Sequence, residues 1–280
     1  MSITGFPLLS AESLKIQRGE GNDAKLILNG SCAFAVERSD FIYLAGASGV
    51  GKSTLLWALA RLLPLKAGVL RWGGIRHTEV AVARWRAELA LLPQKPVIMP
   101  GTVADNLLYP LHRFCIQKER LSERHESLPD SGVLQKELRS VGLYDIPLER
   151  EAASLSGGQQ ARLALVRLLL TKPKLVLADE PMAGVDEVAV DLVFSRLLRF
   201  CEEGGAVIFT SHVHGERVSG AQIVLDGNAG LQLIAPSQGR CPCVYTYFLT
   251  QSSQSTTESH RVIQANENLC ETLCSSVSLC

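Results

Sequence analysis

Two spacings of apolar residues organise the chain. Short unbroken runs bounded by turn residues read as buried strands, and runs with a three-to-four spacing read as helices. Phe41–Ala45 is the first clear strand, ending in a Gly-rich turn. Lys52–Leu63 follows with Leu55, Leu56, Leu59, Leu62 and Leu63 at helical spacing, and Pro64 and Gly68 stop it. Val69–Trp72 and Leu89–Leu92 read as further strands. Beyond them the pattern predicts helix over Gly158–Leu170, strand over Leu175–Ala178, helix over Glu187–Glu202 and strands over Ala206–Thr210 and Gln222–Asp226. Strands alternating with helices imply an α/β fold with a mostly parallel sheet and crossover connections.

Between Pro93 and about Ser154 charge rises, and short helical segments such as Val133–Val141 are separated by Pro and Gly. This stretch reads as a helical subdomain, about 95–160, inserted into the α/β core. Composition shifts again at Pro236. From Cys241 onward there is no Lys, Arg261 is the only Arg, and Ser, Thr, Gln and Cys dominate. The reading is one domain over 1–235 and a disordered Ser/Thr/Cys-rich tail over 236–280.

Charge narrows the choice of partner. There are 28 Lys and Arg against 28 Asp and Glu in 280 residues, so no general electrostatic reason exists to bind nucleic acid or acidic lipid. No apolar run reaches the roughly 18 residues of a spanning helix. Met1–Ser13 carries no Lys or Arg, which argues against a secretory signal and for the cytosol. Cys32, Cys115 and Cys201 are scattered as buried small hydrophobes would be. Cys241, Cys243, Cys270, Cys274 and Cys280 crowd the tail. Their spacing allows a soft metal or redox cycling, but no His pattern accompanies it, so the disordered reading is preferred.

The candidate chemistry starts where the first strand ends. Gly46-Ala47-Ser48-Gly49-Val50-Gly51-Lys52-Ser53 fits G-x-x-x-x-G-K-[ST] between a strand and a helix. Glycines let the backbone form a nest of N–H groups, and the helix start adds its positive end, so phosphate oxygens are cradled there. Lys52 reaches the β- and γ-phosphates, the Ser53 hydroxyl binds Mg²⁺, and Thr54 offers a further hydroxyl. Leu175-Val176-Leu177-Ala178-Asp179-Glu180 is an apolar strand ending in two acids. Asp179 is placed to hold Mg²⁺ through its water shell, and Glu180 to polarise the water that attacks the γ-phosphate.

Leu155-Ser156-Gly157-Gly158-Gln159, followed by a helix rich in Arg and Leu, resembles the signature of ATP-binding cassette (ABC) proteins. Ser156 also reads as the cap of that helix. Other positions fall in the family's order. Gln94 resembles the Q-loop glutamine, which touches Mg²⁺ and the attacking water. Ala183-Gly184-Val185-Asp186 resembles the D-loop, and His212 resembles the switch histidine. The resemblance covers about Leu14 to Gly227. It implies a P-loop NTPase core with an antiparallel N-terminal β-subdomain and the inserted helical subdomain. There are departures: Ile16–Gly21 holds no aromatic to stack on adenine, leaving Arg18 for that place, and Gly184-Val185 replaces a bulkier pair.

What the resemblance implies about function is specific. Phosphate loop and signature lie far apart in one subunit, so two subunits pair head to tail and sandwich two ATP molecules. Hydrolysis then opens the sandwich and drives a separate transmembrane permease on the cytoplasmic face of a membrane. Pro96–Leu107 offers apolar residues for that partner's coupling helix, and its Gly-Thr-Val-x-x-Asn-Leu stretch looks closest to exporter and iron-efflux subunits. The alternative is a soluble ABC-type ATPase acting on nucleic acid or a macromolecular assembly. Such proteins commonly carry a second cassette, coiled-coil insertions or basic arms, which are missing from this sequence. A P-loop kinase would leave the signature without a role.

Overall fold

The computed structural model describes residues 5–19, 25–30, 33–211, 221–226 and 229–234. His212, Cys32 and the tail over 236–280 lie outside the described residues. Two sheets are present. The first is antiparallel and pairs β1 (Leu9–Arg18) with β2 (Lys25–Asn29), β3 (Ala33–Val36) and β5 (Ala67–Trp72), with β6 (Ile75–Arg76) at the edge. The second is built from β4 (Phe41–Ala45), β7 (Leu89–Leu92), β8 (Leu175–Ala178), β9 (Ala206–Phe209), β10 (Gln222–Leu225) and β11 (Leu231–Ile234). Its order is β11-β10-β4-β9-β8-β7, parallel throughout except for β11.

The unbroken apolar runs follow from burial on both faces of this parallel sheet. Side chains alternate along each strand, so one run feeds two cores. Ile42, Leu44, Leu175, Leu177, Ala206 and Ile208 face the antiparallel sheet and helix α1 (Lys52–Leu59). Phe41, Val176, Ala178, Val207 and Phe209 face helices α6 (Gly157–Leu170) and α7 (Glu187–Glu202). Between β7 and α6 the chain forms α3 (Val103–Arg113), α4 (Cys115–Glu123) and α5 (Ser131–Ser140); α2 (Val82–Glu88) precedes β7.

Three expectations change. The helix predicted to Leu63 ends at Leu59. Arg61 takes a left-handed φ of 56°, its N–H bonds to Ala58 O, and the Leu62 N–H bonds to Trp57 O. That is a Schellman closure with arginine in the usual glycine place. Arg61 is held there by its own contacts: a guanidinium nitrogen donates to Val80 O at 2.7 Å, and its charge lies 5.5 Å from the Trp85 ring centre. Second, the Pro96–Leu107 stretch is only partly a free apolar surface. Val103 and Leu107 are fully buried in the second core, because α3 turns them inward, while Val97 stays exposed. Third, Cys201 is buried as expected but Cys115 is exposed.

Register brings the strand ends level. Tyr43 and Ala178 both pair with Phe209, and Leu92 pairs with Ala178. The residues that follow β4, β7, β8 and β9 therefore emerge side by side at the carboxyl edge, where open α/β sheets present their ligand crevice.

Candidate nucleotide site

The loop after β4 carries the first group of candidates. Gly46, Ala47, Ser48, Gly49 and Val50 run from the strand to Gly51, which caps α1 without a side-chain bond. Gly51 has φ +117°, and a Cβ there would collide with the Ile27 side chain. Both the backbone and the packing against β2 therefore require glycine. Lys25 Nζ donates to Gly49 O at 2.9 Å, so β2 braces the loop at a second point. Lys52 is 8% exposed and folds back on the loop, donating to Gly46 O at 2.7 Å and Ala47 O at 3.1 Å. Burial lowers its ammonium pKa, and the charges of Glu180 and Asp179 partly oppose that shift. Ser53 is half-buried, whereas Thr54 is buried.

The acidic pair follows β8, with β9 lying between it and β4. Asp179 is 5% exposed and accepts a hydrogen bond from Thr210 Oγ1 at 3.0 Å. Thr210 Oγ1 in turn accepts the Glu180 N–H at 2.9 Å. Glu180 has a left-handed φ of 52°, a conformation that costs of order 1 kcal/mol for a residue with a side chain. Gln94 Nε2 donates to Glu180 Oε2 at 2.8 Å, so the structure joins two residues 86 positions apart. Beside them is a cavity of about 10 Å³ lined by Leu92, Gln94, Ala161, Ala164, Glu180 and Pro181, room for about one water.

The signature residues occupy a different place. Ser156 caps α6 as expected: it accepts the Gln159 N–H, and Gln159 Oε1 accepts the Ser156 N–H. Ser156 and Gly157 are exposed, and a Cβ on Gly157 would meet nothing within 4 Å. Gly158 is different, because a Cβ there would stand 2.6 Å from Gly184 O. Asp186 caps α7 through the Ala189 N–H and pairs with Arg162 at 3.6 Å. Among the described residues, no hydrogen bond or ion pair joins Ser156–Gln159 to the 46–54 loop. Arg18 is exposed at the end of β1.

Sequence reasoning missed two polar pins. Thr210 was read only as the last residue of the strand Ala206–Thr210; a hydroxyl ending an otherwise apolar strand was its signal. Asn106 is fully buried and holds Met99 through both its amide groups, at 2.8 and 2.9 Å. Arg167 of α6 reaches the same segment, donating to Val97 O at 2.6 Å.

The donor set fits a hard divalent ion: a hydroxyl at Ser53, a carboxylate at Asp179, and the amide oxygen that Gln94 keeps after donating its nitrogen to Glu180. A glycine-bound anion cradle, a buried lysine and a strand-end acid pair define a nucleoside triphosphatase of the P-loop class.

Comparison with known proteins narrows the class. Residues 30–183, more than half of the chain, match the family model described as ABC transporter, and the chain belongs to that family. It is 35% identical over 214 residues to the lipoprotein-releasing system ATP-binding protein LolD 2 of Rhodospirillum rubrum, covering 74% of this chain and 88% of that protein. It is 30% identical over 207 residues to the probable iron export ATP-binding protein FetA of Escherichia coli, covering 74% and 85%. It also matches the transporter verA of Clonostachys rogersoniana at 30% identity, covering 70% of this chain but spanning only 15% of that protein. Among solved structures, a post-hydrolysis dimer of an ATP-binding cassette with ADP and Pi aligns at TM-score 0.67 and 21% identity, covering 82% of this chain and 99% of that one. A bacterial Atm1-family exporter with ATP bound aligns at 0.69 and 21%, covering 82% and 39%. The chain is thus an ATP-hydrolysing, ATP-binding subunit of the ABC transporter class. No helix of the described residues is long and apolar enough to cross a membrane.

Proposed function

We propose that the chain hydrolyses ATP between two head-to-tail copies and drives a separate transmembrane permease from the cytoplasmic face of a membrane. The observation that carries this reading is the convergence of Lys52, Asp179, Glu180 and Gln94 at the carboxyl edge of the parallel sheet, where the two acids act on the Lys52 charge and Gln94 holds Glu180. The 46–51 amides take the phosphates, and Lys52 exchanges its loop carbonyls for phosphate oxygens. Thr54, buried in the first turn of α1, offers a further hydroxyl toward the phosphates. Ser53, Asp179 and Gln94 would hold Mg²⁺, which when bound neutralises phosphate charge. Glu180 takes the proton of the attacking water, with Gln94 fixing its carboxylate. His212 is the candidate contact to the γ-phosphate.

Ser156, Gly157, Gly158 and Gln159 complete the site from the second copy. The exposure of Ser156 and Gly157 supports this, since within one chain nothing covers them among the described residues. Asp186 ties that helix start to α7 and so to the opposing site. The relatives named for iron export and lipoprotein release favour an export role. The reading gives nucleic acid no part, in keeping with the zero net charge.

Glu180→Gln tests the reading. The variant is expected to bind ATP, to lose phosphate release by at least 100-fold, and to elute as a dimer in ATP while the ADP form stays monomeric. Turnover at the wild-type rate overturns the assignment of Glu180. Co-purification from membranes then separates the partner classes: a multi-spanning protein supports transport, and bound RNA or DNA opposes it.

A further inference from the structure

Thr210 is absorbed neither by the phosphate loop nor by the signature. It is completely buried at the end of β9, where the preceding residues Ala206, Val207, Ile208 and Phe209 are all apolar and core-packed. Its single hydroxyl is used in both directions. It donates to Asp179 Oδ1 at 3.0 Å and accepts the Glu180 N–H at 2.9 Å. The two residues it touches are the acid expected on the metal and the acid expected on water.

The consequences differ for the two contacts. At Asp179 the donor fixes the carboxylate rotamer in a site 5% exposed, where water does not replace it. At Glu180 the acceptor holds the backbone at φ 52°, a conformation that persists only when its surroundings over-determine it. Gln94 then fixes the far end of the same side chain. Glu180 is thus held at its backbone by one strand end and at its carboxylate by another.

We propose that Thr210 is a positioning residue for ATP hydrolysis, setting the relative placement of Asp179 and Glu180 without itself touching substrate. The inference rests on the roles given to those acids above. Thr210 also stands two residues before His212, so one hydroxyl links the acid pair to the segment carrying the switch candidate.

The test uses the full chain and three variants measured for ATP turnover, ATP affinity by calorimetry, and melting temperature. Thr210→Val keeps the shape of the side chain and the β-branch but loses the hydroxyl. Its kcat is expected to fall about 30-fold, about 2 kcal/mol at 1.36 kcal/mol per tenfold. Its ATP affinity is expected to stay within about threefold, because the phosphate loop is untouched. Thr210→Ser restores the hydroxyl and is expected to recover most of the lost turnover. Lys52→Ala serves as the control on the site itself. If Lys52→Ala turns over normally, the site assignment fails and this inference with it. If Lys52→Ala is inactive while Thr210→Val matches wild type, the site stands and the positioning role of Thr210 is refuted. A Thr210→Ser variant as slow as Thr210→Val, with both melting lower in proportion, also refutes it, because packing rather than the hydroxyl would then set the rate.

Discussion

Two neighbouring glycines at the start of α6 separate packing inside the chain from contact between copies. Replacing Gly158 by Ala puts a Cβ 2.6 Å from Gly184 O. Real Cβ contacts do not fall below 3.0 Å, so the Gly184 backbone must retreat by at least 0.4 Å. Overpacking of this kind costs about 1–3 kcal/mol, reduced by up to about 1 kcal/mol because alanine favours helix. The middle of that range, about 2 kcal/mol less about 1 for the helix gain, leaves a net loss of about 1 kcal/mol and a melting temperature lower by about 2–4 °C. Replacing Gly157 by Ala puts a Cβ in open space, and its stability is expected to match wild type within about 0.5 kcal/mol. The proposed sandwich nevertheless places that open space against the other copy's terminal phosphate. Gly157→Ala should therefore keep its melting temperature and its ATP affinity as a monomer, yet lose at least tenfold in phosphate release. Scanning fluorimetry, calorimetry and a phosphate-release assay on the same preparations read all three. A Gly157→Ala variant with wild-type turnover, or a Gly158→Ala variant with an unshifted melt, would refute the respective half of the reasoning.

Phe209 is fully buried against Phe41, Tyr43 and Phe194, with ring centres 4.9, 5.5 and 5.7 Å away. Phe209→Ala is expected to cost about 3–5 kcal/mol in urea unfolding, and a loss under 1 kcal/mol would contradict the described core. The Thr102 N–H and then the Thr102 hydroxyl hold the Asp105 carboxyl below its ordinary 3.8, which marks the start of α3. A depressed acid contributes stability above its unfolded value and loses it as pH falls through the folded one. Thr102→Val should therefore destabilise more at pH 5 than near pH 3, and an equal deficit at both would contradict this linkage.

The central strands were legible because burial on both faces leaves no place for a polar residue. Phe41–Ala45, Leu89–Leu92 and Leu175–Ala178 match their expected bounds. Of the antiparallel sheet, β5 was read as Val69–Trp72, two residues short at its start, whereas β1, β2 and β3 were not read as strands. In β1 the alternation breaks at Ser13, which has φ 51° where the register with β5 shifts, so the period of two is lost within the strand. Helix α3 was hidden by Pro110 inside it and by the prolines before it. The early end of α1 was illegible because leucine spacing continues past Arg61, and the turn there depends on contacts with Val80 and Trp85 made across the chain. At the site, motif spacing placed the groups that touch phosphate. Thr210, which holds the acid pair, shows in the sequence only as a hydroxyl ending an apolar strand, and its two bonds emerge once the strands are assembled, as do those of Asn106 to Met99.

The grip of Arg167 on Val97 makes one body of two segments that the sequence keeps 70 positions apart. Arg167 lies 11 residues along from Ser156, about 16 Å of helix at 1.5 Å per residue. A helix of that length is stiff. Residues 97–102 and the helix start at Ser156 are therefore mounted on one rigid element, with Asn106 bonded both to Met99 and to Arg167 at the joint.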